Sequence, residues 1–128
     1  MSSIVLLVGR LVIAIQMGLL VLGAPVKPSG KYCGKVSVLA KVTLTFYEDT
    51  FDFDGRYLFH RGKAAGVPYT MNGATTILIP TDNPKFQKAY NDMGPPFPAS
   101  DLKDLAYAND AITAHTSIGD LTLTNGGC

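Results

Sequence analysis

Four carboxylates crowd into residues 48–54 (EDTFDFD), and clustered acidic side chains are ligands that calcium prefers. An EF-hand loop needs an acidic or amide ligand at its first position and a glutamate at its twelfth. Counted from the glycine that follows the cluster, those positions hold Thr50 and Arg61. Asp52 and Asp54 alternate with phenylalanines, which is the pattern of a strand with one solvated face. The cluster therefore predicts a strand, and we expect neither a metal site nor a cofactor.

The other residues that could bind a metal or catalyse a reaction do not have the spacing of a known motif. The histidines, His60 and His115, each lack a second metal ligand at a recognisable interval. The chain has no Gly-x-Ser-x-Gly elbow, no His-Glu-x-x-His and no glycine-rich phosphate loop. Its sole glutamate, Glu48, falls in a predicted turn, so paired carboxylates for glycoside cleavage are not indicated. The sequence therefore predicts a protein that is not an enzyme.

The two cysteines offer disulfide chemistry. Cys33 lies near the start of the predicted mature chain and Cys128 is the last residue of the sequence. An even cysteine count in a small secreted chain predicts an intramolecular disulfide, which in the chain-entropy model stabilises by about 4 to 5 kcal/mol. The alternatives are a frayed terminal thiol and an intermolecular bridge that makes a dimer.

An apolar N-terminal segment predicts the location of the protein. Ile4–Ala24 is almost continuously apolar, with Arg10 ahead of the longest apolar run and small residues at its end. That arrangement is typical of a secretory signal peptide, here residues 1–23, and predicts a secreted, extracellular protein. The alternative is an uncleaved membrane anchor, and we expect membrane association only in that case.

Charge is balanced once the signal is set aside. The chain has 11 Lys and Arg and 10 Asp and Glu, and Arg10 is the one charged residue in the signal. Ten basic residues then face ten acidic ones, so the mature domain carries no net charge. A neutral domain has no electrostatic reason to bind nucleic acid or an anionic membrane. We therefore expect no nucleic-acid partner.

Alternating apolar and polar residues run through most of the mature chain. Residues 24–29, with two prolines, read as a leader, and residues 30–128 as a single small β-rich domain. The alternation is cleanest in the KVTLTFY segment and predicts half-buried strands. The predicted strands are Lys31–Leu39, Lys41–Tyr47, Thr50–Asp54, Val67–Met71, Thr75–Ile79, Leu105–Ala108, Ala111–Ser117 and Leu121–Asn125.

Turn residues separate these strands. Arg61–Gly66 (RGKAAG) reads as a polar, glycine-bounded turn, and Gly55 indicates a bulge in the strand before it. Asn72–Gly73 stands between two apolar runs, which is the strongest short-range hairpin signal. Another short turn is predicted at Asn109 and Asp110.

One segment has helical periodicity. Residues 84–93 predict a short amphipathic helix, capped by Asp82 or Asn83, with Pro84 in its first turn and Gly94 after its end. The residues predicted to face the sheet are Phe86, Ala89, Tyr90 and Met93.

Mostly short turns between strands, with no βαβ rhythm, predict a mainly β fold. The strands should form an antiparallel meander that makes a small barrel or a sandwich, with the helix over residues 84–93. Gly30-Lys31-Tyr32 opens the first strand and resembles the Gly-x-Trp with which calycin-type barrels such as lipocalins begin. The resemblance implies a cup that binds a small apolar molecule.

Two functions follow for such a domain. The first is a binding protein that carries a small apolar ligand, lined by Phe46, Phe53, Tyr57, Tyr69 and Ile77. Core packing is the alternative role for these residues and for the other strand aromatics, Phe51 and Phe59.

The second function is a secreted or surface interaction protein, of the effector or inhibitor type, with a solid core and no ligand. It would contact a protein partner through exposed loops that carry Arg61, Lys63 and Phe97. Phe97 lies among three prolines, and a stiff connector that tucks it against the sheet is the alternative. The volume of the interior cavity discriminates between the two functions.

Overall fold

The computed structural model describes residues 27–36 and 38–126, whose strands form one antiparallel sheet. The nine strands follow the order β4-β3-β2-β1-β9-β8-β7-β6-β5. Pairing of the first strand with the last curls the meander into a nearly closed barrel, so the barrel and not the sandwich is correct. The strands are β1 (Gly30–Val36), β2 (Ala40–Phe46), β3 (Thr50–Tyr57), β4 (His60–Pro68), β5 (Thr70–Asn72), β6 (Thr76–Leu78), β7 (Asp104–Ala108), β8 (Ala111–Thr116) and β9 (Gly119–Asn125).

Strand alternation decides which side chains enter the barrel. In β2, Val42, Leu44 and Phe46 are buried while the residues between them are more exposed, and Phe51 and Phe53 of β3 follow the same rule. Burying one such side chain stabilises the fold by about 1.5 to 3 kcal/mol. The largest fully buried side chains are Tyr32, Phe51, Phe53, Phe86, Ile77, Met93, Ile112, Leu121 and Leu123.

Helix α1 spans Pro84–Met93, as its sequence predicts. The Asn83 side chain accepts hydrogen bonds from the backbone N–H groups of Lys85 and Phe86, and Gly94 ends the helix with φ 61°. Its predicted apolar face is buried. A 3-10 turn, Ala99–Leu102, follows the proline-rich connector and was not predicted. Within residues 27–36 and 38–126, no helix is long and apolar enough to cross a bilayer.

Glycines let α1 lie directly on β3 and β4. A Cβ at Gly62 would clash with the backbone oxygen of Ala89, and one at Gly55 would clash with Met93 Sδ. Since backbone atoms cannot rotate away as side chains do, Gly62 fixes how closely the helix approaches the sheet.

The predicted turn at Arg61–Gly66 is wrong, because these residues belong to β4. The turn consists of Leu58 and Phe59, since Tyr57 pairs with His60. Gly62 in this segment is small because α1 packs on it, and Gly66 has φ 66°, which favours glycine.

The predicted bulge at Gly55 is also wrong. Gly55 pairs regularly with Val42 and Gly62, and the irregularity lies between Phe51 and Phe53. There β4 has one extra residue, because residues 65 and 66 both stand opposite Asp52, and the Gly66 N–H donates to Asp52 Oδ1 over 2.9 Å. A side chain at Gly55 would clash with Met93, which explains the glycine. The strand pairing at Gly55 is regular and needs no bulge.

Several predictions fall outside the described residues. They are the signal peptide over residues 1–23, the first half of the leader, and Cys128 with its bond to Cys33. The described part of the leader lies against the barrel, where Pro28 is buried and Lys27 Nζ is 3.4 Å from Asp49 Oδ1.

Candidate interaction surface

The five residues predicted to line a ligand site lie in or against the core. Phe46, Phe53 and Ile77 are buried inside the barrel, and Tyr69 is buried beside them. Tyr57 is partly buried and packs on the same cluster. Phe46 and Tyr69 pack edge to face, with ring centroids 5.1 Å apart, which is favourable aromatic packing.

Little space remains inside the barrel. The interior cavity has a volume of about 10 Å³, which is room for roughly one water molecule. Ligand sites usually measure roughly 300 to 1,000 Å³. The cavity is lined by Val42, Leu44, Phe51, Phe53, Ile79, Phe86, Leu102, Leu105, Ile112, Ala114, Leu121 and Leu123.

Phe97 also lies in the core and not on a protruding loop. It is 4% exposed and packs edge to face on Tyr90, with centroids 6.1 Å apart. The prolines around it form the connector that tucks this ring under α1. Burial raises the pKa of Tyr90 to about 12, and its hydroxyl has no hydrogen-bond partner among the described residues.

A row of cations crosses the first four strands on the outside of the barrel. Lys35 of β1 pairs with Lys41 of β2, Lys41 pairs with Arg56 of β3, and Arg56 pairs with Arg61 of β4. All four side chains are exposed, and we call Lys35, Lys41, Arg56 and Arg61 the basic row. Like charges directly opposite on neighbouring strands destabilise a sheet by up to about 1 kcal/mol per pair. The row therefore opposes folding stability.

Acidic side chains neutralise little of the positive charge of this row. Asp54 accepts two hydrogen bonds from Arg61, at 3.0 and 2.6 Å. Hydrogen bonding to Arg61 is the main cause that lowers the pKa of Asp54. Within the described ranges, Lys35, Lys41 and Arg56 form no ion pair with a carboxylate.

The fold also segregates charge on a larger scale. Two further cations, Lys31 and Lys63, lie on the same outer face as the basic row, so six of the ten Lys and Arg of the mature domain are there. Of the ten acidic residues, this face of β1 to β4 carries Asp52 and Asp54. A domain without net charge thus has one positive face, which composition alone does not reveal.

Exposed apolar side chains lie on the turns at one end of the barrel, next to the basic row. Val38 and Leu39 lie in the β1–β2 turn, and Leu58 and Phe59 lie in the β3–β4 turn. Their exposed fractions are 86%, 48%, 45% and 100%, respectively. We call these four residues the apolar tip. Phe59 is therefore not a core residue, because the two-residue turn points it away from the barrel.

The two turns of the tip touch each other, and a third turn lies at the same end. The Leu58 N–H donates to the Leu39 carbonyl over 3.0 Å. The β8–β9 turn carries Ile118, 40% exposed, and leads into Gly119 beside Val36. We call this end of the barrel the turn end. Exposed apolar residues that cluster in this way, unlike single scattered ones, are typical of contact surfaces.

The opposite end is held by a polar network around Asp110. Tyr32 donates to Asp110 Oδ1 over 2.5 Å, and the Asn125 amide donates to Asp110 Oδ2 over 3.0 Å. Asn109 and Asp110 have φ values of 54° and 58°, which form the predicted turn. Burial, then the hydrogen bond to Asp110, raises the pKa of Tyr32. This network joins β1, β9 and the β7–β8 turn.

Both histidines are exposed. His60 is at the start of β4, and His115 Nδ1 lies 2.8 Å from Asp120 Oδ1. Within residues 27–36 and 38–126, no group of three His, Cys, Asp or Glu residues is placed to hold a metal ion.

Two of the three predicted interaction residues lie on the positive face, and their role stays a prediction. Arg61 and Lys63 were predicted as interaction residues and lie on the positive face. Lys35, Lys41 and Arg56 were missed because their alignment depends on register. Each hairpin places its two cations symmetrically about its turn, a signal that becomes readable once the turn at residues 58–59 is known.

Comparisons of the chain with protein-family models, with curated proteins and with solved structures found no match. The architecture, a nearly closed antiparallel barrel with one helix, is the level at which the chain can be classified.

Proposed function

We propose that this protein is a secreted interaction protein with a solid core, which recognises an anionic partner through the turn end of its barrel. The observation that carries the proposal is the basic row, which lies beside the apolar tip. Arg61 is paired with Asp54, but Lys35, Lys41 and Arg56 repel one another without a carboxylate partner among the described residues, so a sequence shaped for stability alone would alternate their signs. Binding to a negatively charged partner explains the presence of these cations on one outer face.

The remaining parts of the proposal rest on the sequence. The segment 1–23 supports secretion with removal of a signal peptide, and the cysteine pair supports an extracellular domain closed by a disulfide. We propose a calycin-like barrel on the basis of its opening Gly30-Lys31-Tyr32 and its meander, although its interior differs from a ligand-binding cup. That the protein has no catalytic activity stays a prediction.

A second candidate is a carrier of a small apolar ligand. A largely apolar groove of about 350 Å³ on the barrel wall favours it. Tyr69, one of the residues predicted to bind ligand, lines this groove together with Leu78 and Ile79. Such a ligand would lie outside the barrel and not in its core.

Cation-exchange chromatography tests the proposed function without knowledge of the partner. We expect the mature protein to be retained on a sulfonate resin although its net charge is zero. The double variant K41Q/R56Q should elute at lower salt, because it removes the centre of the basic row. The matched control K85Q/K88Q changes net charge equally on exposed residues of α1 and should elute close to the wild type. Equal shifts for both variants would contradict a dedicated positive face.

Titration with a fluorescent fatty acid, followed by native mass spectrometry, separates the two candidates. We expect no one-to-one complex. A complex abolished by Leu78→Arg would assign the ligand to the wall groove, and one weakened by Ala114→Val would assign it to the interior. Either result would favour the carrier function.

A further inference from the structure

We propose that the anionic partner is a membrane surface, and that the turn end docks on it with the apolar tip inserted and the basic row at the headgroups. This inference rests on the proposed function and specifies its partner. The docking surface consists of the apolar tip and the basic row, with Ile118 at its edge.

The spacing between the two parts of the surface fits a bilayer. Leu39 precedes Lys41 by two residues, and Leu58 follows Arg56 by two residues. At about 3.4 Å per residue, the cations lie roughly 7 Å behind the tip along the strands. Interfacial apolar groups enter the headgroup and acyl boundary by about 5 to 10 Å, so an inserted tip brings the row to the lipid phosphates.

The shape of the tip favours lipid over a protein partner. Phe59 is completely exposed and Val38 nearly so, and they stand on separate narrow turns. A protein partner would need a separate preformed pocket for each protruding side chain. The fluid acyl layer accepts both without a matching shape, since burial of apolar area alone supplies the affinity.

The chemistry of the combined surface also disfavours a nucleic acid. A polyanion would use the cations but would gain little from aliphatic turns that carry no hydrogen-bonding group. A groove of about 170 Å³ lies among the row, lined by Lys41, Thr43, Asp54, Arg56 and Arg61. Arg61 is paired with Asp54, whereas Lys41 and Arg56 form no ion pair with a described carboxylate and are suited to the phosphate of a lipid headgroup.

Cosedimentation with vesicles tests the inference. The probes are phosphatidylcholine vesicles with and without phosphatidylserine at about a third of the lipid. We expect the mature protein to bind the anionic vesicles and to be released as NaCl rises from about 0.1 M to about 0.5 M. K41Q/R56Q should bind about 25-fold more weakly, at about fivefold for each cation lost.

The tip is tested separately. The double variant V38S/F59S should weaken vesicle binding at least about tenfold, because it removes the inserting side chains. Two controls should stay within about twofold of the wild type: K85Q/K88Q for charge, and Y47S for an exposed aromatic residue at the opposite end of the barrel. All altered side chains are exposed, and a urea unfolding curve checks that each variant folds.

Three outcomes would overturn the inference. One is vesicle binding that V38S/F59S leaves intact, and another is equally tight, tip-independent binding to heparin or to an oligonucleotide. The third is absence of vesicle binding by a protein whose retention on the sulfonate resin depends on the basic row. That last result removes the membrane as partner and leaves the proposed function standing, whereas loss of retention as well removes both.

Discussion

At the scale of single residues, Leu58 combines two unfavourable properties. Its backbone has φ 56°, in the left-handed region that costs a residue with a Cβ about 1 to 2 kcal/mol, and its side chain is 45% exposed. Glycine or asparagine would relieve the strain. A strained backbone that also presents an apolar group to solvent is typical of a functional position.

We therefore expect Leu58→Gly to stabilise the protein by about 1 kcal/mol, because glycine adopts positive φ without strain. The midpoint of urea unfolding measures the change. Asn109→Gly is the matched control, since asparagine at φ 54° already tolerates this conformation and should gain less. A destabilised Leu58→Gly variant would mean that contacts of the leucine side chain outweigh the backbone strain.

The buried hydroxyl of Tyr32 predicts sensitivity to alkaline pH. Burial and the hydrogen bond to Asp110 raise the pKa of Tyr32 above its ordinary value of 10.0, so the folded state holds this proton more tightly than the unfolded chain. Its contribution to the free energy of unfolding is complete below about pH 10 and is lost as the pH rises through the folded-state pKa. Urea unfolding near pH 8 and near pH 11 should show this loss in the wild type.

Tyr32→Phe should show a smaller loss between the two pH values, while starting from a lower stability at pH 8 because the hydrogen bond is gone. The hydrogen bond to Asp52 also raises the pKa of Tyr47, but this tyrosine is exposed, so Tyr47→Phe should reduce the alkaline loss less than Tyr32→Phe does. An unchanged alkaline loss in Tyr32→Phe would assign the effect to other groups.

At the scale of elements, predictions succeeded where a local signal specifies the structure. Asn83 and Gly94 delimit α1, and Asn72–Gly73 and the Asn109–Asp110 turn delimit two hairpins, each through conformational preferences of the residues themselves. The β3–β4 turn was missed because neither of its two residues is a usual turn former. Pairing and helix packing specify it instead, and both depend on residues distant in the sequence.

The contact between α1 and β4 gives a prediction at this scale. Gly62→Ala would place a Cβ against the backbone oxygen of Ala89, so the helix must move away from the sheet. We expect a loss of about 3 kcal/mol in the free energy of unfolding, measured with urea.

The matched control is Gly73→Ala, where the new Cβ meets no atom within 4 Å but the backbone has φ 66°. That variant should lose about 1 kcal/mol, from backbone strain alone. Equal losses at the two glycines would show that the helix adapts without cost.

At the scale of the whole molecule, the candidate surface depends on what sequence reasoning could not supply. Composition gives the number of charges but not their positions, and a net charge of zero concealed the positive face. Arg61 and Lys63 were recognised as exposed basic residues, but their neighbours in the row come from other strands. The alignment of the row requires the register of three strand pairs, which follows from burial of the opposite face.

The predicted disulfide also belongs to this scale. Secreted protein should be two mass units lighter than the reduced chain, and a peptide map should join Cys33 to Cys128. Reduction should lower the free energy of unfolding by about 4 to 5 kcal/mol in the chain-entropy model. The double variant C33S/C128S should match the reduced protein. Two free thiols in secreted material, or a disulfide-linked dimer, would contradict the intramolecular bond.

Pairing of β1 with β9 has a consequence for the newly made chain. Tyr32 of the first strand pairs with Asn125 of the last, so the ring of strands cannot close until residues 119–125 have been synthesised. Contacts between distant parts of a sequence also form slowly. During synthesis the polypeptide therefore remains a series of hairpins that have not closed into a barrel. An incompletely folded polypeptide is the form that can pass through a narrow export channel.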